Sequence, residues 1–330
     1  MLSVIVPIYN EEKYIEKCIE TILVQDYPKD DLEVVFVDGM STDRTREIVL
    51  DYAQKYKFIR LLDNPNRIAP CAMNIGIRAT KGEYVMRLDG HALYPPKYFS
   101  AIVEWHKKRP DIDNVGGICV TDVLNRNRVS MSIAKVMSDK FGVGNSKFRT
   151  GVDAECMEVD TVPFGCYKRD VFEKIGLYNE SLVRCQDIEL NKRLKRAGGR
   201  ILIVPSIYCT YIPRENFRDF YRNRYLTGYW VVKMGFITGT LRNSGMRHFV
   251  PAIFVMTILL SMLLGMINSL CFLPGVLALL SYGVLMLGRS FVINDKNTSV
   301  WNLFKAFCCI HFSYGLGSLK GLIDCLLKRK

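Results

Sequence analysis

Residues 83–96 read E-Y-V-M-R-L-D-G-H-A-L-Y-P-P. An apolar run of Tyr84, Val85, Met86 and Leu88 stops at Asp89, Gly90 and His91, and Pro95 and Pro96 close the segment. Such a run predicts a short buried strand. A carboxylate and an imidazole then stand just past the strand's carboxyl end, where open α/β sheets bind ligands. Both side-chain types ligate divalent metals, and Gly90 leaves the backbone open to a diphosphate. A polar turn with Asp89 closing an Asx-turn is the other reading of the same residues.

The flanking sequence repeats the pattern. Val4 to Val6 reads as a strand stopped by Pro7, and Ile15, Cys18, Ile19, Ile22 and Leu23 form one helical stripe. Leu32 to Val37 reads as a strand ending in Asp38. A helix through Ile48, Val49, Tyr52, Ala53 and Tyr56 follows, then a strand over 58–62 and a helix over 70–79. Strand and helix alternate, so a parallel sheet with helices on both faces is expected. No G-x-G-x-x-G and no P-loop follow the first strand, which argues against dinucleotide enzymes and nucleotide triphosphatases. What remains is a set of acids at strand ends, suited to a ribose hydroxyl or base edge and to a metal that grips phosphates.

Several ordered motifs carry a resemblance: Pro7-Ile8-Tyr9-Asn10-Glu11-Glu12, Val37-Asp38-Gly39-Met40-Ser41-Thr42-Asp43, Asn74-Ile75-Gly76 and Gly82-Glu83-Tyr84-Val85. Over residues 1 to about 235 the chain resembles the family 2 glycosyltransferases of GT-A fold. The resemblance implies an α/β, Rossmann-like sheet and a nucleotide-sugar site at Pro7, Tyr9, Glu11, Asp38, Arg67, Asn74, Arg87 and Asp89. Asp89 matches the first acid of the D-x-D motif, which implies a divalent cation, Mn2+ or Mg2+, bridging the diphosphate. His91 stands at the second acid's place and is expected as the other metal ligand through a ring nitrogen; a hydrogen bond to donor or water is its alternative. Gly39 and Ile68 also depart from the family pattern. Asn66-Arg67 with Arg87-x-Asp89-Gly90-His91-Ala92-x-Tyr94 is similar to the succinoglycan-type exopolysaccharide glucosyltransferases, placing Arg67 and Arg87 near the diphosphate or base.

Beyond residue 96 the acceptor half is expected. Residues 126–150 are polar with several glycines and read as a mobile loop or lid. Gln186-Asp187 resembles the family's E-D pair, which implies Asp187 as the general base; a helix N-cap is its other role. Glu189 and Asp170 are expected at the surface or in caps. Residues 217–230 are aromatic and basic. Arg224-Tyr225 match the Q-x-x-R-W region of processive synthases only in part, which favours single-sugar addition; an amphipathic helix on a membrane surface is the alternative.

Of the net charge of +12, the stretch from Gly239 onward holds nine Lys/Arg against Asp295 and Asp324. This suits an anionic membrane surface, and no nucleic-acid motif is present. Residues 248–288 contain no Asp, Glu, Lys or Arg. A bilayer takes ~20 apolar residues per helical pass, so a two-pass hairpin is expected. Arg242 and Arg247 before it, and Arg289 and Lys296 after it, place both flanks in the cytoplasm. Residues 303–327 form a third apolar stretch interrupted by charges, expected to lie at the interface. Eleven cysteines without C-x-x-C spacing suit reduced thiols.

The expected organisation is a cytoplasmic GT-A domain at 1–235, with a nucleotide-binding half at 1–95 and an acceptor half at 96–235, and a membrane region at 236–330. The expected function is inverting transfer of a sugar, glucose first, from a UDP-sugar to a lipid-linked, polyprenyl-diphosphate glycan at the cell membrane. Two alternatives are a polyprenyl-phosphate sugar synthase and a non-catalytic membrane adaptor with a degenerate transferase domain.

Overall fold

The computed structural model describes residues 1–241 and 248–327. Arg242, Arg247 and Lys328 to Lys330, used in the charge argument, lie outside them. The chain divides into two compact units, Met1–Val120 with Lys147–Tyr211, and Thr121–Ser146 with Ile212–Lys330. In chain order the elements begin β1 (Leu2–Ile8), α1 (Ile15–Leu23), β2 (Leu32–Asp38), α2 (Thr45–Lys55), β3 (Ile59–Asp63), α3 (Ala69–Ala79) and β4 (Tyr84–Arg87). There follow β5 (Ala92–Leu93), α4 (Tyr98–Lys108), β6 (Asn114–Thr121), α5 (Arg128–Met137), α6 (Lys140–Val143) and α7 (Lys147–Thr150). Then come β7 (Met157–Glu158), β8 (Cys166–Lys168), α8 (Asp170–Ile175), α9 (Gln186–Arg196) and β9 (Ile201–Tyr211).

In the first unit the strands form one sheet in the order β3-β2-β1-β4-β8-β6-β9-β5, with β7 on β9. Alternation along β1 sorts the two cores. Leu2, Val4, Val6 and Ile8 pack with Ile15, Ile19 and Ile22 of α1 and with Phe99 and Ile102 of α4. Ile5, Val35 and Val37 face the other layer, made by Met73 and Ile77 of α3, Phe172 of α8 and Leu190 and Leu194 of α9. This is the expected three-layer α/β arrangement, a GT-A-like mixed sheet.

The alternation led to the expectation of a parallel sheet, and the structure corrects it: part of the sheet is antiparallel. Only β3, β2, β1 and β4 run parallel. β8 is antiparallel to both β4 and β6, and β5 and β7 are antiparallel to β9. Helical crossovers impose parallel pairing only while they last. After β4 the antiparallel pairs are made through β5, β7 and β8, strands of two or three residues, too short to carry a periodic signal.

His106 of α4 is 1% exposed, and its Nε2–H donates to the Cys166 carbonyl at 2.8 Å. Burial, with Lys168 adding to it, pushes its pKa down to about 4. The unfolded chain therefore takes up this proton first, and stability falls as pH drops from about 6.5 towards 4. The expected slope from this group is at most about 1.4 kcal/mol per pH unit. Thermal melts of His106→Gln, which keeps a donor but does not titrate, are expected to show a shallower acid decline than wild type.

The second unit is helical. It contains α5, α6, α10 (Phe217–Ile237), α11 (Val250–Gly265), α12 (Phe272–Ile293) and α13 (Val300–Leu327). The polar stretch expected as a mobile loop is thus largely helical. Asn127 and Ser130 make a capping box at the start of α5. Ile133, Val136 and Met137 are buried against Phe220, Met286, Leu303 and Phe307. Arg289 reaches Asp139 at 2.5 Å, and Lys135 pairs with Asp295. A stripe of apolar residues among polar ones was the signal, hidden by the flanking glycines. His311 is structural: its Nε2–H donates to the Phe141 carbonyl at 2.8 Å, and Nδ1 lies 3.0 Å from the Tyr282 hydroxyl.

The apolar segments also differ from expectation. α11 has 16 residues, short of the ~20 that a pass takes. Ser269–Ile293 and Val300–Leu327, at 25 and 28 residues, are the two helices among the described residues long and apolar enough to cross a membrane. The third stretch, expected at an interface, belongs to the second of these. Its charges are matched locally: Lys305 lies 4.5 Å over the Phe217 ring and Lys320 pairs with Asp324 at 2.6 Å. α10 and α13 touch backbone to backbone. A Cβ on Gly228 would stand 2.1 Å from the Tyr314 carbonyl oxygen, and one on Gly317 2.0 Å from that of Tyr225. Small residues at such crossings are what close helix packing needs.

Candidate active site

The turn after β4 is built before any ligand is considered. The Tyr94 hydroxyl accepts the Asp89 N–H at 2.9 Å and lies 3.2 Å from the Asp89 carbonyl. Gln25, two residues past α1 and 4% exposed, donates to the Pro95 carbonyl at 2.8 Å and accepts from the Phe99 N–H at 3.1 Å. Gly90 lets the turn seat against α1: a Cβ there would stand 3.1 Å from Ile8 Cγ2 and 3.4 Å from Ile15 Cδ1. Packing therefore explains this glycine without a ligand.

The charges around the turn are paired. Arg87, the last residue of β4, donates from a terminal nitrogen to Asp89 Oδ1 at 2.9 Å. Burial alone would depress the guanidinium; Asp89 and then Asp187 outweigh it, and its pKa is raised. Asp89 answers in kind. Burial would raise its carboxyl, but Arg87 and His91 hold it below the usual range. His91 Nδ1 lies 3.0 Å from Glu11 Oε1. Burial opposes its charge, yet Glu11 and Asp89 raise its pKa to about 9. Asp89, Arg87, Asp187, His91 and Glu11 are thus brought into one electrostatic cluster.

Asp38 ends β2, opposite Ile8 of the neighbouring strand. Its side chain is fully enclosed: the Ser41 hydroxyl donates to it at 2.5 Å and Arg46 at 3.4 Å. Pro7 sits in β1 opposite Val37, and Tyr9 beyond it is 45% exposed. Asn74 is buried, its amide nitrogen donating to the Tyr178 carbonyl and to Glu180 and its oxygen accepting the Tyr178 N–H. Here Asn74 clamps α3 to the loop before α9. Arg67 is exposed, with φ at 60°. Asp187 begins α9 beside the buried Gln186, and its Oδ1 accepts the Ile188 N–H at 2.9 Å. Glu189, expected at the surface, is buried and paired with Arg193 at 2.7 Å.

Two features escaped sequence reasoning. Among the described residues, five other than glycine hold positive φ: Asn10, Met40, Arg67, Phe164 and Cys185. The first three follow β1, β2 and β3; Phe164 precedes β8 and Cys185 precedes α9. Such backbone costs about 1–3 kcal/mol per residue and clusters at ligand sites. Only Asn10 is of a type that tolerates it readily. The other feature is Arg149 of α7, whose guanidinium lies 4.9 Å over the Tyr211 ring, while Tyr211 meets His91 edge-on at 5.8 Å.

As to cations, the described residues contain no group of three or more His, Cys, Asp or Glu that could hold a metal. The turn offers fewer donors: the second Asp89 oxygen, and His91 Nε2 once the imidazolium held by Glu11 gives up a proton to the incoming cation. Magnesium-type ions are commonly held by one or two carboxylates together with substrate phosphates, without an all-protein cage. The donor set fits a cation shared with a diphosphate.

Residues 3–176 match the family described as Glycosyl transferase family 2, just over half of the chain. The chain belongs to glycosyl transferase family 2. This glycosyltransferase is 28% identical over 333 residues to the succinoglycan biosynthesis protein ExoA of Rhizobium meliloti (strain 1021), covering 97% of this chain and 94% of the relative. It is 30% identical over 226 residues to the Methanococcus voltae dolichyl N-acetyl-alpha-D-glucosaminyl phosphate 3-beta-D-2,3-diacetamido-2,3-dideoxy-beta-D-glucuronosyltransferase, covering 66% of this chain and 69% of that one. In fold it is similar to the mannosyltransferase PcManGT from Pyrobaculum calidifontis in complex with GDP-Man and Mn2+ (TM-score 0.63, 21% identity, 98% and 87% covered). S. aureus TarS 1–349 in complex with UDP-GlcNAc gives a TM-score of 0.54 at 17% identity, with 98% and 92% covered. The glycosyltransferase thus has relatives named for lipid-linked and polysaccharide substrates, and fold neighbours captured with nucleotide sugars.

Proposed function

We propose that this glycosyltransferase moves a sugar, glucose first among candidates, from a UDP-sugar to a lipid-linked glycan with inversion at the anomeric carbon. The observation that carries this reading is the Arg87–Asp89 ion pair at 2.9 Å just past β4, with the Asp187 charge acting on the same guanidinium. One carboxylate can then serve the donor's diphosphate while the other serves the acceptor. In this reading residues 1–235 carry the chemistry, and residues 236–330 anchor it at the cell membrane with the catalytic part on the cytoplasmic side.

Asp89 and His91 would hold the divalent cation. When bound, it supplies positive charge against the diphosphate leaving group. The chain's own residues do the rest. Tyr9, exposed at the end of β1, and Pro7 border the nucleoside, with Asp38 shaping the 38–41 turn and Asn74 bracing α3 from beneath. Arg87 orients Asp89; Arg67, free on its strained turn, adds positive charge towards the phosphates. Glu11 orients His91. Asp187 takes the proton from the acceptor hydroxyl as the new bond forms at the anomeric carbon and the bond to the diphosphate breaks.

The test uses the full chain in detergent with Mn2+, labelled UDP-glucose and a lipid extract. Label is expected in the organic phase on a lipid-linked glycan longer than one sugar. Label found only as a lipid phosphate-monosaccharide would favour the polyprenyl-phosphate synthase. GDP-mannose serves as the contrasting donor. Neither turnover nor hydrolysis with any donor would leave the adaptor reading standing.

A further inference from the structure

Among the described residues Arg149 is a cation with no counter-charge. One of its terminal nitrogens is buried without a hydrogen-bond partner. Among the described residues no carboxylate lies within ion-pair distance of it. A buried guanidinium nitrogen without an acceptor is costly, and native structures rarely keep one without a reason. Phe148, the preceding residue, packs against both cores of the sheet. Arg149 itself lies over the Tyr211 ring at 4.9 Å and the Phe148 ring at 5.4 Å. Stacking on aromatic faces fixes an arginine while leaving its N–H groups to recognise an oxyanion.

Its surroundings define what it faces. Tyr211 pairs in register with Ala92, the residue after His91. The Tyr211 ring meets the His91 imidazole, so Arg149 is one ring removed from the Asp89-Gly90-His91 turn. The other cations there are spoken for. Arg87 serves Asp89 and Asp187, and His91 serves Glu11. A phosphoryl ligand brings negative charge into a cluster whose carboxylates already outnumber its free cations. An uncommitted guanidinium is the group that such a ligand needs.

Resting on the glycosyl-transfer reading, we infer that Arg149 is a phosphate-binding residue of this cleft, donating its buried N–H to an oxygen of a diphosphate. The diphosphate is either the donor's or the one carried by a lipid acceptor. The shared chemistry is a diphosphate oxyanion; the experiment separates the sources.

Calorimetric titrations of full-length protein in detergent, with Mn2+, would compare wild type, Arg149→Gln and Arg149→Lys. The probes are UDP, uridine and a short-chain polyprenyl diphosphate. Charge-assisted hydrogen bonds to phosphate lead to an expected loss of about 10- to 100-fold for Arg149→Gln. Loss for UDP with uridine unchanged supports the donor source. Loss for the polyprenyl diphosphate with UDP unchanged supports the acceptor source. Arg149→Lys is expected to recover part of the affinity; it carries the test if the melting temperature shows that Arg149→Gln is poorly folded. Unchanged binding of both diphosphates would overturn the inference, as would an equal loss for uridine and UDP. Wild type binding neither diphosphate would instead overturn the glycosyl-transfer reading, and the inference with it.

Discussion

Asp187→Asn is expected to lower glycosyl transfer by roughly 10²- to 10⁴-fold, the range that a positioned general base supplies. Asparagine keeps the shape and can still accept the Ile188 N–H that Asp187 accepts at 2.9 Å. It cannot take a proton from a sugar hydroxyl. UDP affinity is expected to stay within about twofold, since the lost interaction belongs to the transition state. Single-turnover transfer and calorimetry on the same preparation separate the two quantities. Arg87 loses one of its two acidic neighbours in this variant but keeps Asp89 at 2.9 Å. The cluster therefore retains a charge partner. Transfer within tenfold of wild type would remove Asp187 from the base role.

Asp89→Asn tests the donor side. The Arg87 guanidinium still finds an acceptor oxygen, so the turn held by Tyr94 and Gln25 is expected to persist. The negative charge at the strand end is gone. Residues that only orient metal ligands cost 10–100-fold when changed, so the ligand itself is expected to cost about 100-fold or more in Mn2+-dependent UDP affinity. Uridine, which lacks the diphosphate, is expected to bind as before. Equal Mn2+ dependence in wild type and variant would contradict the role given to Asp89.

The strand ends were legible because apolar runs that stop at an acid have a period and a boundary. The α1 stripe, the register of Asp38 beside β1 and the position of Asp89 just past β4 all follow from such runs. Long-range partners were not legible. Nothing in a lone glutamine just past a helix announces that Gln25 holds the 94–95 carbonyls some seventy residues away. Asp38 and Asn74 were read as ligand contacts from the motifs around them. The structure also gives each of them protein partners: Ser41 and Arg46 for Asp38, and Tyr178 and Glu180 for Asn74. Arg149 escaped because its partner rings, Phe148 and Tyr211, sit on separate elements and its stretch looked like loop. The antiparallel pairing escaped for a simpler reason: β5, β7 and β8, three of the strands that make it, are too short to show alternation.

The most direct test of the account is the anomalous scattering of manganese in a crystal of the full chain with UDP and Mn2+. A single strong peak is expected between the Asp89 carboxylate and the diphosphate, with the nucleoside against Tyr9 and Asp187 open to the sugar's place. A nucleotide seated away from the Asp89-Gly90-His91 turn, or a metal held without Asp89, would contradict it.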